Sequence, residues 1–110
     1  MRIAVPSTGK RKLSNRISES FSRTPEFTIV TVEKNQIKNA EIVENPGNTP
    51  ERGAGPLAAR ALKDNNVDVL LTVEMGPGAS TILEAMDIKI VLVEQRKTVK
   101  ELVEDYLGSL

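Results

Sequence analysis

The sequence predicts an α/β fold, a mixed β-sheet flanked by helices in a single domain spanning residues 1–110, and three observations carry that reading. Residues 27–33 and 36–44 are strand-like runs joined by Lys34-Asn35, and Asn tolerates the positive φ of a tight turn, so they read as an antiparallel hairpin. Residues 67–73 and 88–93 are apolar and strand-length, and between them Ala79, Ile82, Leu83 and Met86 fall on one helical face. That succession is a βαβ unit, whose two strands run parallel. Finally, 110 residues are enough to bury one core but not two.

The remaining elements follow in order. Arg2-Ile3-Ala4-Val5 reads as a first strand ending at Pro6. Ser7-Thr8-Gly9-Lys10-Arg11-Lys12 is a basic polar loop, and residues 13–22 are irregular because serines and Asn15 interrupt every helix face. Residues 45–56 hold three prolines and three glycines, which forbids regular structure and predicts a long functional or mobile connection. Leu57, Ala58, Ala61 and Leu62 then share a helix face, and Asn65-Asn66 ends it. Residues 88–93 read as a second buried strand of the βαβ unit. In the last helix Thr98 and Glu101 make a capping box, Val99, Leu102, Val103, Tyr106 and Leu107 form the apolar face, and Gly108 closes it. The only aromatics are Phe21, Phe27 and Tyr106, so the core is expected to be aliphatic.

Composition excludes whole classes of chemistry. Fifteen Lys and Arg balance fifteen Asp and Glu, so no global field recruits nucleic acid or an anionic membrane. No apolar run approaches the ~20 residues of a membrane span, no signal peptide is visible, and a cytoplasmic protein is expected. Cysteine and histidine are both absent. That removes disulfides, a Ser-His-Asp triad and zinc sites of the Cys/His kind. It removes Cys-ligated iron–sulfur chemistry as well. A two-metal nuclease needs converging carboxylates, and Ile3-Ala4-Val5 in the first strand carries none.

The candidate ligand site is at two Gly-Pro turns, Gly55-Pro56 and Gly76-Pro77. Proline suits the first helical position, where its missing N–H is no loss, and glycine lets another group approach the backbone closely. A helix start offers free N–H groups and about half a positive charge, so it suits an anion. The second turn, with Gly78 and Ser80, follows the carboxyl end of a parallel strand, where ligands of α/β sheets bind. Gly-Pro is also an ordinary helix start, and at this level ligand cradle and plain architecture stand side by side. Arg23 is a candidate rim cation, as is Arg52 in the long loop. Lys10, Arg11 and Lys12 attract anions, but their loop lacks the first glycine of a Walker phosphate loop and has Arg11 in place of its Ser or Thr. Glu74 is a candidate base or hard-metal ligand, and Met75 a soft donor or a hydrophobic plug.

Taken in order, several segments resemble the dinitrogenase iron–molybdenum cofactor biosynthesis family along nearly the whole chain. They are Ile3-Ala4-Val5-Pro6, then Ser20-Phe21-Ser22-Arg23-Thr24-Pro25-Glu26-Phe27 (similar to an HFGRAPYF-like segment), then Val43-Glu44-Asn45-Pro46. Gly53-Ala54-Gly55-Pro56-Leu57-Ala58-Ala59, Val67-Asp68-Val69-Leu70, Met75-Gly76-Pro77 (similar to a GGIGP turn), Thr98-Val99 and Tyr106-Leu107-Gly108 complete the set. The resemblance implies a ribonuclease H-like sheet without nuclease activity. It also implies a non-catalytic binding or carrier role for an iron–molybdenum or iron–sulfur cluster, or for another small anion. The family's histidine is Ser20 here, the glycine after its phenylalanine is Ser22, and one glycine of its turn is Glu74. A cluster-ligating histidine is thus missing, and Glu74 repels an anionic centre. The site implied comprises Arg23, Gly53, Gly55, Gly76, Gly78 and Ser80, acting mainly through backbone N–H groups. The other function class left open is a structural or regulatory module that binds a protein partner through a strand edge or the 45–56 loop. A monomer or weak homodimer is expected.

Overall fold

Strand-forming residues alternate between two faces in a six-stranded mixed sheet, and each face is covered by helices. The structure is a computed structural model, and it describes residues 1–48 and 53–110. The strands are β1 (Arg2–Thr8), β2 (Arg16–Ile17), β3 (Glu26–Glu33), β4 (Gln36–Glu44), β5 (Val69–Thr72) and β6 (Lys89–Leu92). The helices are α1 (Ala54–Asp64), α2 (Pro77–Ala85) and α3 (Val99–Gly108). The main path runs β4-β3-β1-β5-β6, with β2 attached to β1. β3 and β4 form the expected antiparallel hairpin, and Lys34 and Asn35 take φ of +51° and +64° at its turn. β5 and β6 are parallel, as the βαβ pattern requires, and β5 is also parallel to β1.

The period of two along the strands sorts the core into two layers. Ile3, Val5, Val30, Val32, Val69 and Leu71 face α3, where Val99, Leu102, Val103 and Leu107 pack on them. Ala4, Phe27, Ile29 and Leu70 face the other way, toward Ala58, Ala59 and Leu62 of α1 and Leu83 of α2. Phe21 and Phe27 both lie in this second layer, ring centroids 5.6 Å apart, while the buried residues of the first layer are aliphatic and the aromatic packed against them is half-buried Tyr106.

Several sequence expectations are corrected. β1 does not stop at Pro6 but continues to Thr8, with Pro6 opposite Phe27 of β3. Arg2 N–H donates to Asp68 Oδ2 and Pro6 O accepts from Ser18 N–H, both away from β3. Two residues apart in a strand point the same way, so the proline's missing N–H costs the β1–β3 ladder nothing. The segment after β1 is not wholly irregular, since it contains a 3-10 turn at Lys12–Ser14 and the short β2. A second 3-10 turn occupies Pro46–Asn48.

α1 begins at Ala54, two residues before Pro56. Proline fits there because the first helical N–H groups have no intrahelical acceptor in any case. The buried face of α1 is Ala54, Ala58, Ala59 and Leu62, while Leu57 is 41% exposed. β6 is an edge strand rather than a buried one, and Leu92 is 66% exposed. α3 runs through Gly108, with Ser109 as its C-cap.

Candidate functional site

β1, β5 and β6 are mutually parallel, so their carboxyl ends lie at one end of the sheet, and the buried polar residues gather there. Ser7, Asn15, Thr24, Thr28, Asn45 and Thr72 are all buried. The Ser7 and Thr28 hydroxyls share a 2.8 Å hydrogen bond. Thr24 Oγ1 donates to the Ser7 carbonyl at 3.1 Å, and Thr72 Oγ1 donates to the Glu74 carbonyl at 3.1 Å. Among the described residues no buried side-chain polar atom lacks a partner, so this belt fixes the loops above it at little cost in unsatisfied groups.

Asn45 ties the segment carrying Arg23 to the start of α1. Its Nδ2 donates to the carbonyls of Ser22 (3.0 Å) and Thr24 (2.9 Å), and its N–H donates to the Pro25 carbonyl (3.1 Å). Its Oδ1 accepts the Gly47 N–H at 2.8 Å. Gly47 is buried with no room for a side chain. A Cβ there would run into the Ala54 carbonyl oxygen and come within 2.9 Å of the Ser22 carbonyl. The Arg23 segment, the 3-10 turn and the first residue of α1 therefore meet.

Each residue expected at the site can now be placed. Arg23 is exposed, and its N–H donates to Ser20 Oγ at 3.1 Å. Gly53 is the N-cap of α1 and needs its glycine, because its φ is +74°. Gly55 is the second residue of α1 and lies against α2, since a Cβ on it would sit 3.6 Å from Ala79 Cβ. Gly76 is the N-cap of α2, extended at φ −75° and ψ 156°, with Pro77 as the first helical residue. Among the described residues no heavy atom beyond the chain neighbours lies within 4 Å of a Cβ added at Gly53, Gly76 or Gly78. Ser80 is half-buried, and its N–H makes the first turn's bond to the Gly76 carbonyl at 3.0 Å. The structure thus brings the Gly55 and Gly78 turns together through the Gly55–Ala79 contact. Arg52 falls outside the described residues. Lys10, Arg11 and Lys12 lie on a separate loop.

The two helix starts share one feature. Each has a glycine at its N-cap, Gly53 for α1 and Gly76 for α2, which offers no side chain to cap it. By contrast, α3 closes its own start: Thr98 Oγ1 accepts from Glu101 N–H at 3.2 Å, and Glu101 Oε1 accepts from Thr98 N–H at 3.0 Å. Two uncapped starts side by side place two partial positive charges together, which favours an anion between them. The donor set for direct metal ligation is poor. The chain has no His or Cys, and no three acidic side chains cluster to hold an ion among the described residues. Met75 is half-buried and packs on the core beneath α1 and α2, as a plug does. Glu74 is exposed at the end of β5. Among the described residues this surface offers backbone donors of the kind that suit an anion and no group of side chains of the kind that holds a metal ion.

Sequence reasoning missed Asn15, Asn45, Thr24 and Thr28, the residues that set the loops. Small polar residues in an irregular stretch, as Asn15, Thr24 and Asn45 are, read as solvated turn formers, and Thr28 reads as an ordinary strand residue, so only burial distinguishes them.

Comparisons with known proteins agree with this architecture. A model of the family described as "Dinitrogenase iron-molybdenum cofactor" matches residues 1–109. The apo form of the orange protein from Desulfovibrio gigas superposes with a TM-score of 0.89 at 33% identity, covering 98% of this chain and 88% of that one. A putative NifB protein from Thermotoga gives a TM-score of 0.80 at 32% identity, over 97% and 87%. An uncharacterized protein of Methanocaldococcus jannaschii is 31% identical over 90 residues, which is 82% of this chain and 72% of the relative. No described helix is long and apolar enough to cross a membrane. With the fold, the order of its elements and relatives above 30% identity all in accord, the chain belongs to the dinitrogenase iron–molybdenum cofactor family.

Proposed function

We propose that this protein is a non-catalytic binding or carrier protein whose cargo is anionic, either an iron–molybdenum or iron–sulfur-type cluster or a smaller anion. The cargo sits against the paired starts of α1 and α2. The carrying observation is the contrast within one molecule. α3 satisfies its own start with a capping box, while α1 and α2 leave theirs to glycine and meet at Gly55 and Ala79. Backbone N–H groups of the first turns hold the ligand, and Arg23 adds charge at the rim. The cluster brings its own inorganic ligands, because this chain supplies neither thiolate nor imidazole. Family membership supports the cargo class. So does the orange protein, whose description as an apo form implies a loaded one.

The test is an anaerobic titration of the full chain with isolated iron–molybdenum cofactor, molybdate and sulfate, followed by amide NMR. Shifts are expected at residues 53–55 and 76–80. Gly76→Val has room for its side chain and no left-handed φ to forbid it, so the variant keeps its fold. It crowds the ligand instead, and affinity should fall about tenfold or more, roughly 1.4 kcal/mol. Absence of binding by all three probes at micromolar protein, with no thermal shift, sinks the proposal.

A further inference from the structure

The chain is neutral overall, yet part of its positive charge is gathered on one surface. Lys10, Arg11 and Lys12 are consecutive and exposed. Lys38 of β4 lines the same hollow as Arg11 and Lys12, and Arg16 of β2 lines a second hollow with Lys10 and Arg11. Among the described residues no ion pair engages Lys10, Arg11, Lys12 or Lys38. Among the described residues the carboxylate bound to this loop is Glu26, which accepts the Gly9 N–H at 2.6 Å and so faces backbone rather than a cation.

The loop holding these cations is pinned from below. Asn15, buried, donates from Nδ2 to the Gly9 carbonyl at 3.1 Å and accepts the Arg11 N–H on Oδ1 at 2.8 Å. Gly9 has φ +112° and Lys12 has φ +53°, a left-handed conformation unfavourable for a residue with a Cβ. The loop thus presents three consecutive exposed cations, and Lys12 among them takes the left-handed backbone.

The two hollows differ in the residues that line them. The one with Arg16, about 420 Å³, has no apolar side chain in its lining, with Thr8, Ser14 and Asn15 beside Lys10, Arg11 and Arg16. The one with Lys38, about 440 Å³, is lined by Leu13, Ile37 and Ala40 together with Arg11, Lys12, Lys38 and Asn39. Arg11 belongs to both. We propose that this face is a second ligand site, for a small organic phosphate with an apolar or aromatic body. The phosphoryl group occupies the hollow with Arg16, where hydroxyls and three cations match its oxygens. The body lies over Leu13, Ile37 and Ala40, and the planar Arg11 guanidinium bridges the two parts. None of these residues belongs to the α1 and α2 starts, so the inference stands independently of the cargo site.

Amide NMR titration of the full chain tests it, with AMP, adenosine and inorganic phosphate as probes in about 150 mM salt, where bulk charge effects are screened beyond about 8 Å. AMP should bind at least about tenfold more tightly than adenosine or phosphate, because each of those fills one hollow only. Its shifts should fall at residues 9–16 and 37–40. Arg11→Ala, at an exposed side chain, should weaken AMP at least about tenfold without unfolding the protein. Lys38→Ala should weaken AMP but leave phosphate unchanged. No AMP binding at millimolar concentration overturns the proposal. So does AMP binding no tighter than phosphate, which would be a diffuse charge effect. Affinity untouched by Arg11→Ala, or shifts centred on residues 76–80, overturns it as well.

Discussion

The side-chain amide of Asn45 bonds to the Ser22 and Thr24 carbonyls and to the Gly47 N–H, with all three bonds at or near the core. Replacing it by alanine orphans those groups, and each buried orphan costs about 1–3 kcal/mol. Water entry and relaxation recover part of that, so Asn45→Ala should lose about 2–4 kcal/mol in urea unfolding. A loss well below 1 kcal/mol would mean that water takes over the amide's role. Gly47→Ala attacks the same junction by volume. Its methyl meets two backbone carbonyls, neither of which can rotate away, and overpacking of this kind costs about 1–3 kcal/mol. Amide exchange at the α1 start should quicken in both variants, because the junction is what holds it. Asn45 and Gly47 are visible in the sequence only as members of a turn-rich stretch. Their burial arises when the 22–25 segment and the start of α1 close over them, and Ser22 and Thr24 of that segment lie more than twenty residues away from Asn45.

At the scale of elements, the three helices show how much a cap signal can carry. Thr98 and Glu101 predicted the start of α3 correctly, because both halves of a capping box lie within one turn. Gly76-Pro77 predicted the start of α2 for the same local reason. Gly55-Pro56 misplaced the start of α1 by two residues. A proline is tolerated throughout the first turn, so it bounds a helix start without fixing it. The α3 box also gives a pH prediction. Hydrogen bonds from Thr98 hold the Glu101 carboxyl below its ordinary value. A depressed folded value means stabilisation that is full above the unfolded value, about 4.3, and lost as the pH falls through the folded one. Melting temperature between about pH 5 and pH 3 should therefore fall more steeply for the native protein than for Glu101→Gln, which keeps the box geometry without the titration. Parallel curves would show that the carboxylate contributes nothing there.

At the scale of the whole molecule, the two edges of the sheet are treated differently. β4 carries Lys38, Glu41 and Glu44, and the ladder it shares with β3 is interrupted by an irregularity at Thr31/Val32, both of which discourage pairing with another chain. β6 ends the other side with Lys89-Ile90-Val91-Leu92 and leaves Leu92 in solvent. Leu92→Lys should change unfolding free energy by no more than about 0.5 kcal/mol, as an exposed site does. It should also lower any concentration-dependent association in sedimentation velocity. Unaltered association would place self-contact elsewhere. Cargo has a global signature too, since a ligand at 100 times its dissociation constant stabilises the folded state by about 2.7 kcal/mol. Thermal shift in the loaded protein should therefore track the NMR affinities, and in Gly76→Val a tenfold weaker site at the same ligand concentration leaves about half of that stabilisation, roughly 1.4 kcal/mol.

By itself the sequence determined the class of fold, the hairpin, the βαβ unit, the last helix and the chemistry that is impossible here. Those follow from period-two and helical patterns, from turn residues and from the lack of Cys and His, all of which act locally or by composition. Only the tertiary structure decided that β6 is an edge, that Leu57 faces solvent and that Pro6 stays within its strand. Strand order and helix docking set exposure, and they depend on partners distant in the chain. The same holds for the candidate site. Its glycines were legible as two separate turns, but their meeting at Gly55 and Ala79 rests on α1 packing beside α2, and the loops around them rest on buried Asn45 and Thr24. Hydrogen bonds that close across more than twenty residues leave no local trace in a sequence, which is why the site was readable in parts and its assembly was not.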